Sequence, residues 1–162
     1  MGASSTVVHF EIDGDRLGLG LADVSEIAKV IRFTPVPRSP DFIVGVTNIR
    51  GRVVTLMDAH ILYGDGSRGV HPAEERAREF RGHAIVLAPP HEHLALFTRS
   101  PIDIGKGRAT GPAPASAAAD REGRAPLEGL VVMDEFVVRL IPPGGLQAHC
   151  ESRVLERYRR RA

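Results

Sequence analysis

The chain has 162 residues, 43% hydrophobic and 25% charged. That is enough for one domain or two small interlocked subdomains, and its composition excludes wholesale disorder. A single cysteine excludes an internal disulfide and a Cys-rich metal site, and favours a reducing compartment. Net charge is +1, but the last twelve residues hold five Arg against two Glu, so the other 150 are net negative by two. That body lacks the strongly basic surface of a dedicated nucleic-acid binder.

Val8, Phe10 and Ile12 alternate with His9 and Glu11. After a tight turn at Asp13-Gly14-Asp15, Leu17, Leu19 and Leu21 alternate with Gly18 and Gly20. This predicts a hairpin with one buried face. Val24, Ile27 and Val30 follow at spacing three, which predicts a short helical turn running into a strand at Val30-Ile31-Arg32-Phe33. The prolines at 35, 37 and 40 disfavour helix in the residues before them, so this stretch reads as an extended strap. Two β-rich runs between Phe42 and Asp58 flank Arg50-Gly51-Arg52, predicting a second hairpin with Gly51 in its turn. Ala59 to Tyr63 reads as one helical turn ending at Gly64.

Residues 64–82 read as a polar insertion, with a short exposed helix over Ala73–Phe80. Strands resume at Ala84–Leu87 and Leu94–Phe97, joined across Pro89-Pro90-His91-Glu92. Residues 107–126, rich in Ala, Gly and Pro, read as a long mobile loop. Leu130–Met133 and Phe136–Ile141 make a last hairpin, stopped by Pro142-Pro143-Gly144-Gly145. Residues 146–162 read as a C-terminal helix and basic tail. Short strands with turn chemistry between them indicate an all-β barrel architecture.

No catalytic constellation emerges. Cys150 falls in the C-terminal helix pattern without a protease signature around it and reads as a packing group. His91-Glu92-His93 could present two imidazoles to one face, but nothing nearby in sequence completes a tetrahedral set, so a solvated hairpin tip is expected. Gly18/Gly20 and Gly105-Lys106-Gly107 lack the partners of a nucleotide fingerprint. The arginines from Arg153 to Arg161 suit the negative end of a helix dipole and read as a solvated helix end. No catalytic, cofactor-binding or metal residues are therefore expected. No run of apolar residues approaches a membrane span, and no leader pattern opens the chain. Direct membrane insertion is not expected.

Val24-Ser25-Glu26-Ile27, then Pro37 and Pro40 through Val54 with Gly45-Val46-Thr47-Asn48-Ile49-Arg50-Gly51, closely resembles the CheW family of chemotaxis coupling proteins. Asp58 matches the acid that ends the family's strand, and the rest of the chain fits more loosely. The resemblance implies two intertwined SH3-like five-stranded β-barrels with short helices and a C-terminal helix, in a single domain over 1–162. It implies no catalytic activity and a cytoplasmic bacterial adaptor. The partners it implies are the signalling tip of a methyl-accepting chemoreceptor and the regulatory domain of a chemotaxis histidine kinase. The matched motif makes Val24, Glu26, Ile27, Gly45, Val46, Asn48, Arg50 and Gly51 the partner-binding candidates. An amphipathic receptor hairpin suits a groove with an apolar lining from Val24, Ile27 and Val46. Glu26 and Arg50 are expected to pair, since an Arg–carboxylate fork is directional.

Three departures stand out. Thr55-Leu56-Met57-Asp58 lacks the family's proline, Phe97–Ile104 carries Pro101 where the family continues its strand, and Pro142-Pro143 follows the closing strand. Because proline cannot donate within a central strand, the second barrel is expected to be altered and the kinase contact weakened. A variant adaptor that binds receptor but not kinase, acting as competitor or in a non-flagellar pathway, is the alternative. A small-barrel nucleic-acid binder using the arginine tail is a more distant one, and a salt titration with generic DNA would distinguish it.

Overall fold

The structure, a computed structural model, describes residues 2–64, 82–111 and 124–161. The chain runs β1 (Ser4–Ile12), β2 (Asp15–Gly20), a 3-10 turn (Leu21–Asp23), β3 (Val24–Val30), β4 (Ile43–Ile49), β5 (Arg52–Asp58) and α1 (Ala59–Tyr63). It continues through β6 (Gly82–Leu87), β7 (Leu94–Thr98), β8 (Asp103–Thr110), β9 (Leu130–Val132), β10 (Val137–Leu140) and α2 (Pro143–Arg159).

The strands form two five-stranded sheets. One is a closed barrel in the order β1-β2-β10-β9-β8, built from both ends of the chain. The other, β3-β6-β7-β5-β4, is built from the stretch between. Among the described residues an isolated antiparallel bridge, Thr34 to Val46, joins the strap after β3 to the edge strand β4. Two-residue turns set the register of two hairpins. Ile12 faces Asp15 across Asp13-Gly14, and Ile49 faces Arg52 across Arg50-Gly51. All four turn residues have positive φ, the type I′ geometry that matches strand twist.

The core divides by strand parity. Val7, Val131 and Val138 pack together in the closed barrel, while Val54, Leu56, Ala84, Val86, Ala95 and Phe97 pack in the second sheet. The alternate residues Val8, Phe10, Ile85, Leu87 and Leu96 join Met57 and Leu146 in one shared cluster between the sheets. Strands such as β6 are thus buried on both faces, which is why they read as continuous apolar runs. Burying an aliphatic side chain contributes about 1.5–3 kcal/mol, so this shared layer ties the two barrels into one unit.

Several expectations need correction. Val24–Val30 is strand, not helical turn: Glu26, Ala28 and Val30 are its more buried positions, and Ile27 lies on the opposite face. The strand ends at Val30 instead of continuing to Phe33. The loop expected over 107–126 starts later, because residues 107–110 belong to β8, which pairs with β1 and β9. Pro101 lies between β7 and β8 and interrupts neither, so both sheets have their five strands. The last hairpin does end before Pro142-Pro143, at Leu140, but α2 begins at Pro143 instead of Leu146, with the proline at a position where its missing N–H costs no hydrogen bond. The expected helix over Ala73–Phe80 and most of the 107–126 loop lie outside the described residues.

Candidate functional site: the open side of the second barrel

The residues singled out in sequence lie on β3 and on the β4–β5 hairpin, at the two edges of the second sheet, which the strap bridge and one ion pair connect. Gly45 lets the strap come close: a Cβ there would lie 2.4 Å from the Thr34 carbonyl oxygen and 2.6 Å from Phe33 Cδ2. The approach allows Thr34 N to donate to Val46 O at 2.8 Å and Val46 N to donate to Thr34 O at 2.9 Å. Thr47 Oγ1 adds a bond to Arg32 O at 2.7 Å. Asn48 Oδ1 accepts from Gly51 N at 2.8 Å, fixing the hairpin tip. At Gly51 φ is +83° and a Cβ would meet no atom within 4 Å, so backbone conformation alone demands glycine there.

These constraints hold Arg50 at φ +51°, with its side chain 83% exposed. Its Nε sits 3.0 Å from Glu26 Oε2, joining the β4–β5 turn to β3 across the open side of the sheet. The pairing expected from the motif is present. On the opposite face of β3, Ile27 stands across from Ile85, a fully buried member of the shared cluster, yet is itself 37% exposed. Val24 is half-buried against the same cluster. Val24 and Ile27 thus form an accessible margin of the seam between the barrels. Val46 is half-buried at the bridge.

Two exposed apolar residues escaped the sequence reading. Val53, opposite Asn48 on β5, is 69% exposed, and Ile31 is 73% exposed. Both are β-branched residues in apolar runs, indistinguishable from core by pattern; only the register settles which face they take. A third feature is a groove of about 410 Å³ between α2 and the second sheet, lined by Phe42, Ile43, Met57, Leu94, Val154 and Leu155. Its two walls are far apart in sequence, and no local signal marks it.

The remaining candidates for chemistry are structural in their contacts. Asp58 caps α1, accepting from His60 N at 2.9 Å and Ile61 N at 3.3 Å. Cys150 is buried with its Sγ 3.5 Å from Met57 Sδ, and burial pushes the thiol up to about 12, so it stays protonated. His91 Nδ1 meets Gln147 Oε1 on α2, while His93 borders the apolar groove. Among the described residues no three His, Cys, Asp or Glu side chains are placed to hold a metal. Nor is any helix among them long and apolar enough to cross a membrane.

Two five-stranded barrels sharing a core, with an accessible seam and an arginine tied across an open edge, define a small-barrel binding protein. Residues 6–149 match the CheW-like domain, and the chain belongs to that family, whose proteins are non-enzymatic adaptors of chemotaxis-type systems. Protein FrzA of Myxococcus xanthus is 36% identical over 73 residues, 45% of this chain and 44% of FrzA. Chemotaxis protein CheW of Thermotoga maritima is 33% identical over 58 residues, 36% of this chain and 38% of that protein. Chemotaxis protein CheW of Helicobacter pylori is 32% identical over 57 residues, 35% of this chain and 34% of that protein. The matched stretches span less than half the length of these relatives. In fold the chain is similar to the crystal structure of the scaffolding protein TtCheW from Thermoanaerobacter tengcongensis. That match has a TM-score of 0.66 at 22% identity, covering 86% of this chain and 90% of the other.

Proposed function

We propose that the chain is a cytoplasmic adaptor that couples the signalling tip of a methyl-accepting chemoreceptor to the regulatory domain of a chemotaxis histidine kinase. It works through two surfaces and no bond chemistry. The partner-binding residues are Val24, Glu26, Ile27, Gly45, Val46, Asn48, Arg50 and Gly51, in three kinds of role. Gly45, Asn48 and Gly51 shape the strap and turn; Val24, Ile27 and Val46 offer apolar contact; Arg50 and Glu26 offer fixed charge. The observation that carries this reading is the 3.0 Å Arg50–Glu26 pair, which joins the two motif segments at an exposed edge beside the seam margin. An exposed pair of this kind contributes only about 0–1 kcal/mol to folding, so fold stability is a weak reason for it. A directional charge beside apolar side chains is what an amphipathic helical hairpin recognises.

The alternative of a chain that binds receptor but not kinase rested on the Phe97–Ile104 segment. With Pro101 between strands and β8 paired along β1, that segment offers no reason to separate the two activities. Calorimetric titration of the chain with a receptor-tip fragment and, separately, with a kinase regulatory domain tests the reading. Binding to both is expected; binding to neither contradicts it.

A further inference from the structure

The C-terminal helix carries a second surface, remote in composition from the seam. The side of α2 that enters the core holds Leu146 and Cys150, both buried. Continued at helical spacing, the same side becomes Arg153, Arg157 and Arg160, because positions three and four apart stack on one face. The inward stripe therefore changes from apolar to cationic where the helix overruns the body. Beneath this overhang lies a groove of about 860 Å³, bounded by Pro40 and Asp41 on the strap and by Arg153, Arg157, Arg160 and Arg161 on the helix.

Among the described residues, only the first of these arginines is engaged by the body. Arg153 Nη2 is 3.4 Å from Asp41 Oδ1, and its guanidinium stacks over Phe42 at 5.1 Å from the ring centroid. Arg157, Arg160 and Arg161 have no ion pair among the described residues. Cations merely placed to suit the helix dipole would do so equally well facing open solvent. Here they line a concavity.

We infer that this groove docks an acidic helical segment of a partner protein, with carboxylates at i and i+4 facing Arg157 and Arg160, and Arg161 adding charge at the helix end. Positions three or four apart on a helix lie about 5–6 Å apart, which matches those two carboxylates to Arg157 and Arg160. Charge complementarity chooses the occupant. Glu156 also lines the groove and would repel the continuous charge of a phosphate backbone or an anionic lipid surface. Discrete carboxylates can avoid it, and bidentate Arg–carboxylate pairing rewards the correct register.

The test uses the full chain and two synthetic alanine/glutamine helical peptides of about 18 residues, long enough to hold some helix in water. One carries four glutamates on a single face, the other the same glutamates dispersed around the helix. At about 0.15 M salt, where exposed charges farther apart than a Debye length are screened, the striped peptide should bind roughly tenfold tighter than the dispersed one. Combined Arg157→Gln, Arg160→Gln and Arg161→Gln should weaken it roughly tenfold, with the thermal midpoint unchanged. The corresponding triple Lys variant, which keeps the charge but loses the bidentate fork, should restore only part of the affinity. The inference is overturned by equal affinity for the two peptides, by no binding, or by indifference to the Gln variant. Tighter binding of duplex DNA or phosphatidylglycerol vesicles than of the striped peptide overturns it too.

Discussion

Substitution of Gly45 by alanine tests the closure of the second barrel. The new Cβ would lie 2.4 Å from Thr34 O and 2.6 Å from Phe33 Cδ2, against an ordinary contact range of 3.4–4 Å. The obstructing atoms are backbone and an aromatic ring, so relief requires the strap to retreat by about 1 Å. Retreat breaks the paired bonds between Thr34 and Val46, 2.8 and 2.9 Å long. At about 1 kcal/mol net each, their loss costs about 2 kcal/mol. Overpacking or strap displacement adds about 1–3 kcal/mol, for a total near 3–5 kcal/mol. In a chain of this size each kcal/mol moves the thermal midpoint by about 2–4 °C, so a fall of roughly 6–20 °C is expected. Hydrogen exchange at the Thr34 and Val46 amides should accelerate in step. Gly51→Ala is the control: it meets no atom, and only its φ of +83° is strained, at about 1–2 kcal/mol. A Gly45→Ala protein melting within about 2 °C of wild type, with both amides still protected, would refute the proposed closure.

Further outcomes follow from the same structure. Arg50→Gln should lower stability by about 1 kcal/mol or less, since the guanidinium is exposed, while weakening partner binding roughly tenfold. Melting and calorimetry on one preparation separate the two, and a stability loss with unchanged affinity would count against a docking role. The His9 and His149 imidazoles both titrate below their ordinary 6.5, first through burial and then through Arg16 and Arg153 respectively. The unfolded chain therefore binds protons before the folded one, so stability is full above about pH 6.5 and declines as pH falls through the lowered folded values. Thermal midpoints between about pH 7.5 and 5.5 should decrease, and His149→Gln should flatten part of the slope; a midpoint that rises on acidification contradicts this. Cys150, with its thiol pushed up to about 12, should resist iodoacetamide near neutral pH until the protein is denatured. Rapid labelling of the native protein would contradict its burial.

Hairpins with local turn chemistry were legible before the structure, because Asp13-Gly14 and the glycine of Arg50-Gly51 favour the positive φ that the type I′ turn demands. β8 was invisible for a physical reason. Its inward positions Gly105 and Gly107 carry no side chain because Met133 fills their space, so no apolar alternation marks the strand. β3 misled differently: Ile27 sits on the face opposite Val30, and three β-branched residues imitate helical spacing. That misplaced isoleucine is itself a mark of the candidate docking surface. The Glu26–Arg50 pair was legible only through the family resemblance, since neither residue signals the other across twenty-odd positions. Neither groove flanking α2 could be read, because each joins the helix to segments a hundred residues away in the chain.

The most direct test of the docking surface is amide hydrogen exchange of the chain, free and saturated with a receptor-tip fragment. Protection should increase along Glu26–Ala28 and Asn48–Val53, with little change at the distal strands β9 and β10. Saturation that leaves those two stretches unchanged while shielding another face would contradict it.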